Sequence, residues 1–130
     1  MRQIHRIAPL PLLVATAAAL PAVASADRAP IRSERVELRT AVVRSSLVPK
    51  SVRNGRFKLV RPRISTRGRW ALSTITPVDA GARKLDAVLG LFQSRGSRWR
   101  LVEVGTALVG CGKLIVPRDV RRDLGIRCSA

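Results

Sequence analysis

The stretch LDAVLGLFQSRGSRWRLVEVG, residues 85–105, decides the fold expected for this chain. Ala87 to Phe92 is apolar throughout, and after a short polar segment Trp99 and Leu101 alternate with Arg residues. The segment between the two runs is short and contains Gly96, which is typical of a hairpin connection. The pattern therefore predicts two antiparallel strands joined by a tight turn.

The alternation in the second of these strands shifts after Leu101. Val102 and Val104 are apolar at positions where the Arg-bearing face should continue. A β-bulge would restore the register, and a sheet covered on both faces would explain the pattern equally well. The sequence leaves both explanations open.

The segment before the hairpin predicts one helix and two further strands. Residues 31–46 fit a helix with its acidic residues near the positive end, or a strand because apolar positions also alternate, and we favour the helix. Residues 56–66 and 70–76 read as strands separated by a turn. Pro62 has no backbone N–H to donate to a neighbouring strand, so the first of these strands should lie at a sheet edge or break at Pro62.

The chain after the hairpin predicts a short helix and a disulfide. Pro117 fits the start of a helix and Gly125 fits the position just past its end. Cys111 and Cys128 are the two cysteines, and in an exported protein they should be bonded to each other, stabilising the fold by about 3 kcal/mol. Two free buried thiols are the alternative, and a zinc site is not favoured because further soft ligands are lacking.

Export is predicted by the first 26 residues, which have the pattern of a secretory signal peptide. A positively charged start precedes an apolar run over residues 7–20 and the small-residue cleavage site Ala24-Ser25-Ala26. Residues 27–130 should then form a single small α+β domain outside the cytoplasm, secreted or in the cell envelope. We expect no transmembrane segment after the signal is cleaved.

The charge of the chain is strongly positive, with 25 Lys and Arg against 8 Asp and Glu and a net charge of +17. Codon usage in a bacterial genome rich in G and C would produce such a surface without any selected role. The functional interpretation is a basic protein that binds anionic cell-envelope polymers or the membrane surface. The candidate binding residues are Arg61, Arg63, Arg98 and Arg100, which strand alternation directs away from the face that carries the tryptophans.

Trp70 and Trp99 are expected to be structural core residues on one inner face. Their Arg neighbours resemble the basic and aromatic pattern of single-strand nucleic-acid binders. Neighbours in a strand point to opposite faces, however, so buried tryptophans would leave no stacking platform. A nucleic-acid partner is therefore not expected.

Catalysis is not expected either. His5, inside the predicted signal, is the only histidine, so the mature chain has no imidazole for nucleophile activation, acid–base catalysis or zinc binding. Asp79, Asp86 and Glu103 are the remaining acids of interest, and their spacing defines no pair. We predict a non-catalytic protein with no cofactor and no metal.

A spaced pattern of Trp, Gly, Pro and Cys runs through residues 35–128. It comprises Arg63-Ile64-Ser65-Thr66, Arg69-Trp70-Ala71, Trp99, Gly105-Thr106, Cys111-Gly112, Val116-Pro117, Asp123-Leu124 and Cys128. This pattern resembles a group of uncharacterised small exported proteins of high-GC bacteria. The resemblance implies a helix before the first strand and an extracytoplasmic location, and it supplies no catalytic residue.

The expected fold is α+β, with an N-terminal helix packed on a four-stranded antiparallel meander and a short C-terminal helix. Cystatin-like and NTF2-like folds share this outline, in which a curved sheet wraps a helix, although a fold does not determine a function. An alternative function follows from the same outline: a small-ligand-binding or inhibitor or adaptor domain with a pocket between helix and sheet.

Overall fold

The computed structural model describes Pro9, Pro11 and residues 27–54, 56–67, 69–78, 86–112 and 116–128. The predicted cleavage site at residues 24–26 and the acid Asp79 lie outside these residues. Within them the chain forms five strands and three helices. In chain order these are β1 (Asp27–Arg28), α1 (Arg32–Arg44), α2 (Lys50–Arg53), β2 (Phe57–Ser65), β3 (Trp70–Pro77), β4 (Val88–Arg95), β5 (Arg98–Gly105) and α3 (Arg118–Leu124).

The sheet is antiparallel, with its strands in the sequential order β1-β2-β3-β4-β5. The α+β class is thus confirmed, whereas the four-stranded prediction omitted β1. This strand has two residues, which pair with Ser65 and Ile64 at the end of β2. Two residues are too few to produce an alternating pattern, so sequence periodicity could not reveal the strand.

The segment that allowed either a helix or a strand forms helix α1. Leu38, Ala41 and Val42 are buried along one side of it, at the three- and four-residue spacing of a helical face. At its start, Glu34 Oε1 accepts a hydrogen bond from the backbone N–H of Ile31 at 3.1 Å. This bond satisfies a donor that lies before the first turn, as the acidic member of a capping box does.

The predicted hairpin is present as β4 and β5, which are joined through Gly96 and Ser97, with Gly96 at φ +62°. Its register shifts at Leu91 and Phe92, whose partners are Glu103 and Leu101. Val102 is therefore the extra residue of a β-bulge, and it packs against the apolar cluster beneath α3. Both explanations offered for the shifted alternation are correct, because the sheet is also covered on both faces.

Each face of the sheet has its own apolar cluster. The face that we call the α1 face packs its buried residues, among them Phe57, Ile75 and Phe92, against α1. The opposite face, called the α3 face, packs Trp70 and Leu91 against α3 and the segment before it. One helix therefore covers each side of a single sheet.

Cys111 and Cys128 are bonded, as predicted, with their Cα atoms 5.5 Å apart. The bond links the segment that follows β5 to the residues that follow α3, so it fixes α3 across the α3 face. Helix α3 ends at the predicted glycine, since Gly125 has φ +70° and its N–H donates a hydrogen bond to the carbonyl of Arg122.

Strand β2 lies at the sheet edge over most of its length. Its partner β1 reaches only Ile64 and Ser65, which leaves the segment from Phe57 to Arg63 as an edge of the described sheet. The pairing of β2 with β3 shifts between Val60 and Arg63, which brackets Pro62. The proline thus sits both at an edge and at an irregularity, as its missing N–H requires.

Candidate anion-binding grooves

The four candidate arginines lie on two separated strands of the sheet. Arg61 and Arg63 belong to β2 and Arg98 and Arg100 to β5, with β3 and β4 between them. Three strand spacings amount to about 14 Å, which exceeds the Debye length of about 8 Å at physiological salt. The structure therefore divides the four residues into two pairs that do not act as one patch.

Arg61 and Arg63 line a groove between the edge of β2 and helix α1, which we call the β2 edge groove. Its volume is about 770 Å³. Its cationic lining residues are Arg35, Arg39, Lys58, Arg61 and Arg63. No carboxylate is among the described residues that line it. Five of the residues that line this groove are therefore cationic.

Two of these cations are held in place by neighbouring groups. Arg39 Nη1 donates to the carbonyl of Phe57 at 2.9 Å, and its guanidinium lies 4.4 Å from the centroid of the Phe57 ring. Arg63 donates Nε and Nη2 to the two carboxylate oxygens of Asp27 at 2.8 and 2.6 Å, and this pairing raises the pKa of Arg63. Asp27 compensates much of the charge of Arg63, so this arginine contributes less to an anion site than sequence alone suggests.

The remaining three cations of the β2 edge groove are Arg35, Lys58 and Arg61. Within the described part of the chain, none of them forms an ion pair. Arg61 has φ +50°, the left-handed region that non-glycine residues rarely adopt. Such backbone strain persists only where the surrounding structure enforces it, and it is concentrated at binding and catalytic sites.

Arg98 and Arg100 line a second groove, on the other side of α1, which we call the α1–β5 groove. It has a volume of about 720 Å³. One wall is the C-terminal end of α1 with the loop that follows it, including Arg44. The other wall is β5 with the hairpin turn, including Trp99. The two predicted arginine pairs therefore belong to different concavities that flank one helix.

The two tryptophans are not equivalent. Trp70 is 7% exposed and belongs to the cluster beneath α3. Trp99 is only partly buried, packs against the cluster beneath α1 and lines the α1–β5 groove. The expectation of one shared inner face thus differs from the structure, in which both faces of the sheet are covered and each carries one tryptophan.

Of the acids considered as possible catalytic groups, Glu103 has a structural contact. Its Oε2 accepts the backbone N–H of Gly110 at 2.8 Å, which fixes the turn beside the disulfide. Asp86 is exposed. In the described residues no group of three or more His, Cys, Asp and Glu is arranged to hold a metal ion.

Sequence reasoning missed the helical contribution to both grooves. Arg35 and Arg39 are four residues apart on one flank of the buried stripe of α1, and Arg44 lies on the other flank. A helical projection of residues 31–46 would have grouped them in this way. The sheet order, which decides which strand each flank faces, has no local signal in the sequence.

Comparisons with protein-family models, with curated proteins and with solved structures find no match to this chain.

Proposed function

We propose that this protein is a non-catalytic exported protein that binds anionic polymers of the cell envelope, and that the β2 edge groove is the principal contact. The observation that carries this proposal is the grouping of Arg35, Lys58 and Arg61 in one groove that has no described carboxylate in its lining. Clustered cations act together on a polyanion, whereas dispersed cations are screened individually. An extended groove at a sheet edge suits a chain better than a compact ligand.

The expected strength follows from the number of unpaired cations. A Lys or Arg near an anionic surface contributes about 1 kcal/mol at physiological salt. Three such residues give about 3 kcal/mol, a factor of more than 100 in the retention of the protein. The general excess of basic over acidic residues, 25 against 8 in the full chain, adds a weaker, unlocalised attraction that increases the rate of encounter.

A location outside the cytoplasm is supported by the disulfide between Cys111 and Cys128, since such bonds persist in oxidising compartments. Together with the signal-peptide pattern, it favours a secreted or envelope-associated protein. None of the described helices is long and apolar enough to cross a bilayer.

The cystatin-like or NTF2-like outline is also part of this proposal. It is supported by the order of a strand, a helix and then a sequential meander, with α1 packed on one face of the sheet. Helix α3 on the opposite face is an addition to that outline. The alternative function, a small-ligand or inhibitor domain with a pocket between helix and sheet, is favoured by one observation, the α1–β5 groove itself.

The experiment is a retention assay on immobilised poly(glycerol phosphate) and on phosphatidylglycerol vesicles, across a salt series. The variant Lys58→Ser/Arg61→Ser should lose about 30-fold in retention at physiological salt, since two contributions of about 1 kcal/mol are removed. The matched control is Arg118→Ser/Arg122→Ser, which removes the same charge from exposed positions of α3. The control should lose only a fewfold.

Comparing the retention of the two double variants distinguishes binding at the β2 edge groove from a general effect of net charge. Equal losses in the two double variants would overturn the β2 edge groove as the contact and leave only unlocalised adhesion. The double variant Arg98→Ser/Arg100→Ser tests the other predicted arginine pair in the same assay. Because these residues lie in a different groove, their replacement should resemble the α3 control.

A further inference from the structure

The α1–β5 groove has the dimensions of a small-molecule site. Its volume of about 720 Å³ lies within the range of about 300–1,000 Å³ that is usual for ligand pockets. It is open along one side, between the end of α1 and the edge strand β5. Because β5 is the last strand of the described sheet, residues from both of its faces reach the groove around its edge.

The groove contains cations that have no internal partner. Arg44 lies in the last turn of α1, and Arg98 and Arg100 lie on β5. None of the three forms an ion pair with any described residue. A guanidinium binds a carboxylate or a phosphate through two parallel N–H donors. The groove therefore favours a ligand that carries at least one anionic group.

The groove also contains groups that suit a ligand rich in hydroxyls. Ser46 and Ser97 contribute hydroxyls, each of which can donate and accept. Glu37 contributes a carboxylate, which accepts hydrogen bonds. A fully ionised anion has no hydrogen to donate to these acceptors. Their presence beside three cations points to a ligand that both donates and accepts hydrogen bonds.

Trp99 supplies the third element of the site. It is one of two tryptophans in the chain and the one that is only partly buried, so part of its surface is available in the groove. A partly exposed tryptophan ring can pack against the apolar face of a ring-shaped ligand. Trp70 cannot play this role, since α3 covers it.

We infer that the α1–β5 groove is a binding site for an acidic sugar, a pyranose ring that carries a carboxylate or a phosphate. The arginines would pair with the anionic group, Glu37 and the serines with the ring hydroxyls, and Trp99 with the apolar face of the ring. This site is separate from the β2 edge groove, so it does not depend on the polymer contact proposed above.

Trp99 also provides the measurement. In the variant Trp70→Phe it is the single tryptophan, so its emission reports on the groove alone. We expect glucuronate or glucose 6-phosphate to change this emission in a saturable way, with glucose and inorganic phosphate each at least 10-fold weaker. A preference for glucuronate or for glucose 6-phosphate identifies the anionic group. Calorimetric titration of the wild-type protein with the same four compounds gives the answer if Trp70→Phe does not fold.

Matched variants localise the site. Arg44→Ser/Arg98→Ser should weaken the binding of the preferred acidic sugar at least 10-fold, whereas Arg118→Ser/Arg122→Ser should leave it unchanged. Lys58→Ser/Arg61→Ser should also bind the sugar as the wild type does, even where it loses retention on polymer. The inference is overturned if neither acidic sugar saturates, or if glucose or inorganic phosphate binds as tightly as the preferred acidic sugar.

Discussion

Trp70 and Trp99 lie on opposite faces of the same sheet. Trp70 pairs in register with Gln93, and Gln93 pairs with Arg100, so Trp70 and Arg100 share the α3 face. Trp99 is the neighbour of Arg100 along β5 and therefore points to the α1 face. Trp70 is covered by α3, whereas Trp99 is partly accessible beside α1. Replacing the two residues should therefore change the free energy of unfolding by different amounts.

Replacement of Trp70 by Ala should destabilise the protein more than the same replacement of Trp99. Trp70 is nearly fully buried, so its loss leaves a cavity beneath α3 and should cost about 3–5 kcal/mol of the free energy of unfolding. Trp99 is partly exposed and should cost about half as much. Denaturant unfolding of both variants measures the difference, and an equal or larger cost for Trp99→Ala would contradict the lower burial of Trp99.

Removal of the disulfide should destabilise the packing of α3 against the α3 face of the sheet. The variant Cys111→Ser/Cys128→Ser should lose about 2–5 kcal/mol in the free energy of unfolding, since the link between the two ends of the C-terminal segment is gone. Labelling with a thiol reagent should find no free thiol in the non-reduced wild type. The control is Ser97→Ala in the exposed hairpin turn, which should stay within about 0.5 kcal/mol of the wild type.

The ion pair between Arg28 and Glu34 should make stability depend on pH at the acidic end. Hydrogen bonds of 2.7 and 2.8 Å from Arg28 hold the pKa of Glu34 below its usual value of 4.5, against the opposing effect of burial. Because the folded state has the lower pKa, the contribution is fully present above pH 4.5. It is lost as the pH falls through the depressed pKa.

The measurement is the difference in the free energy of unfolding between the wild type and Glu34→Gln from pH 7 to pH 2. It should stay constant at about 1 kcal/mol or less down to about pH 5, since Arg28 is exposed and solvent screens the pair. Below pH 4.5 the difference should shrink. Glu37→Gln on the same helix is the control, and a difference that grew on acidification would contradict the sign.

Local patterns were sufficient to predict most of the elements. The hairpin, the shift near Val102 and the helix between Pro117 and Gly125 each leave a signal within a few residues. The bond between Cys111 and Cys128 could be predicted because they are the two cysteines of the chain. Strand β1 and helix α2 were missed because two and four residues cannot establish a period. In the segment between α1 and β2, Pro49 precedes α2 and serves as its N-cap.

The grooves were beyond the reach of sequence patterns for a different reason. Arg35, Lys58 and Arg61 line the same groove only because β2 lies beside one flank of α1. This arrangement is a property of the tertiary fold. The partial neutralisation of Arg63 depends on Asp27, which is far away in the sequence and adjacent only after β1 pairs with β2. Alternation identified which arginines are exposed, but not which of them retain an uncompensated charge.

The division of the apolar residues between two faces also sets an order in which the two parts of the core can form during synthesis. The residues of the α1 face all precede Val104 in the chain or include it, so the meander can close on α1 before the rest of the chain emerges. The α3 face needs Val109, Val116, Val120 and Leu124. Until these residues arrive, Trp70 and Leu91 have no cover. A product truncated before Val116 would therefore present an apolar surface to quality-control proteases, even with its other half folded.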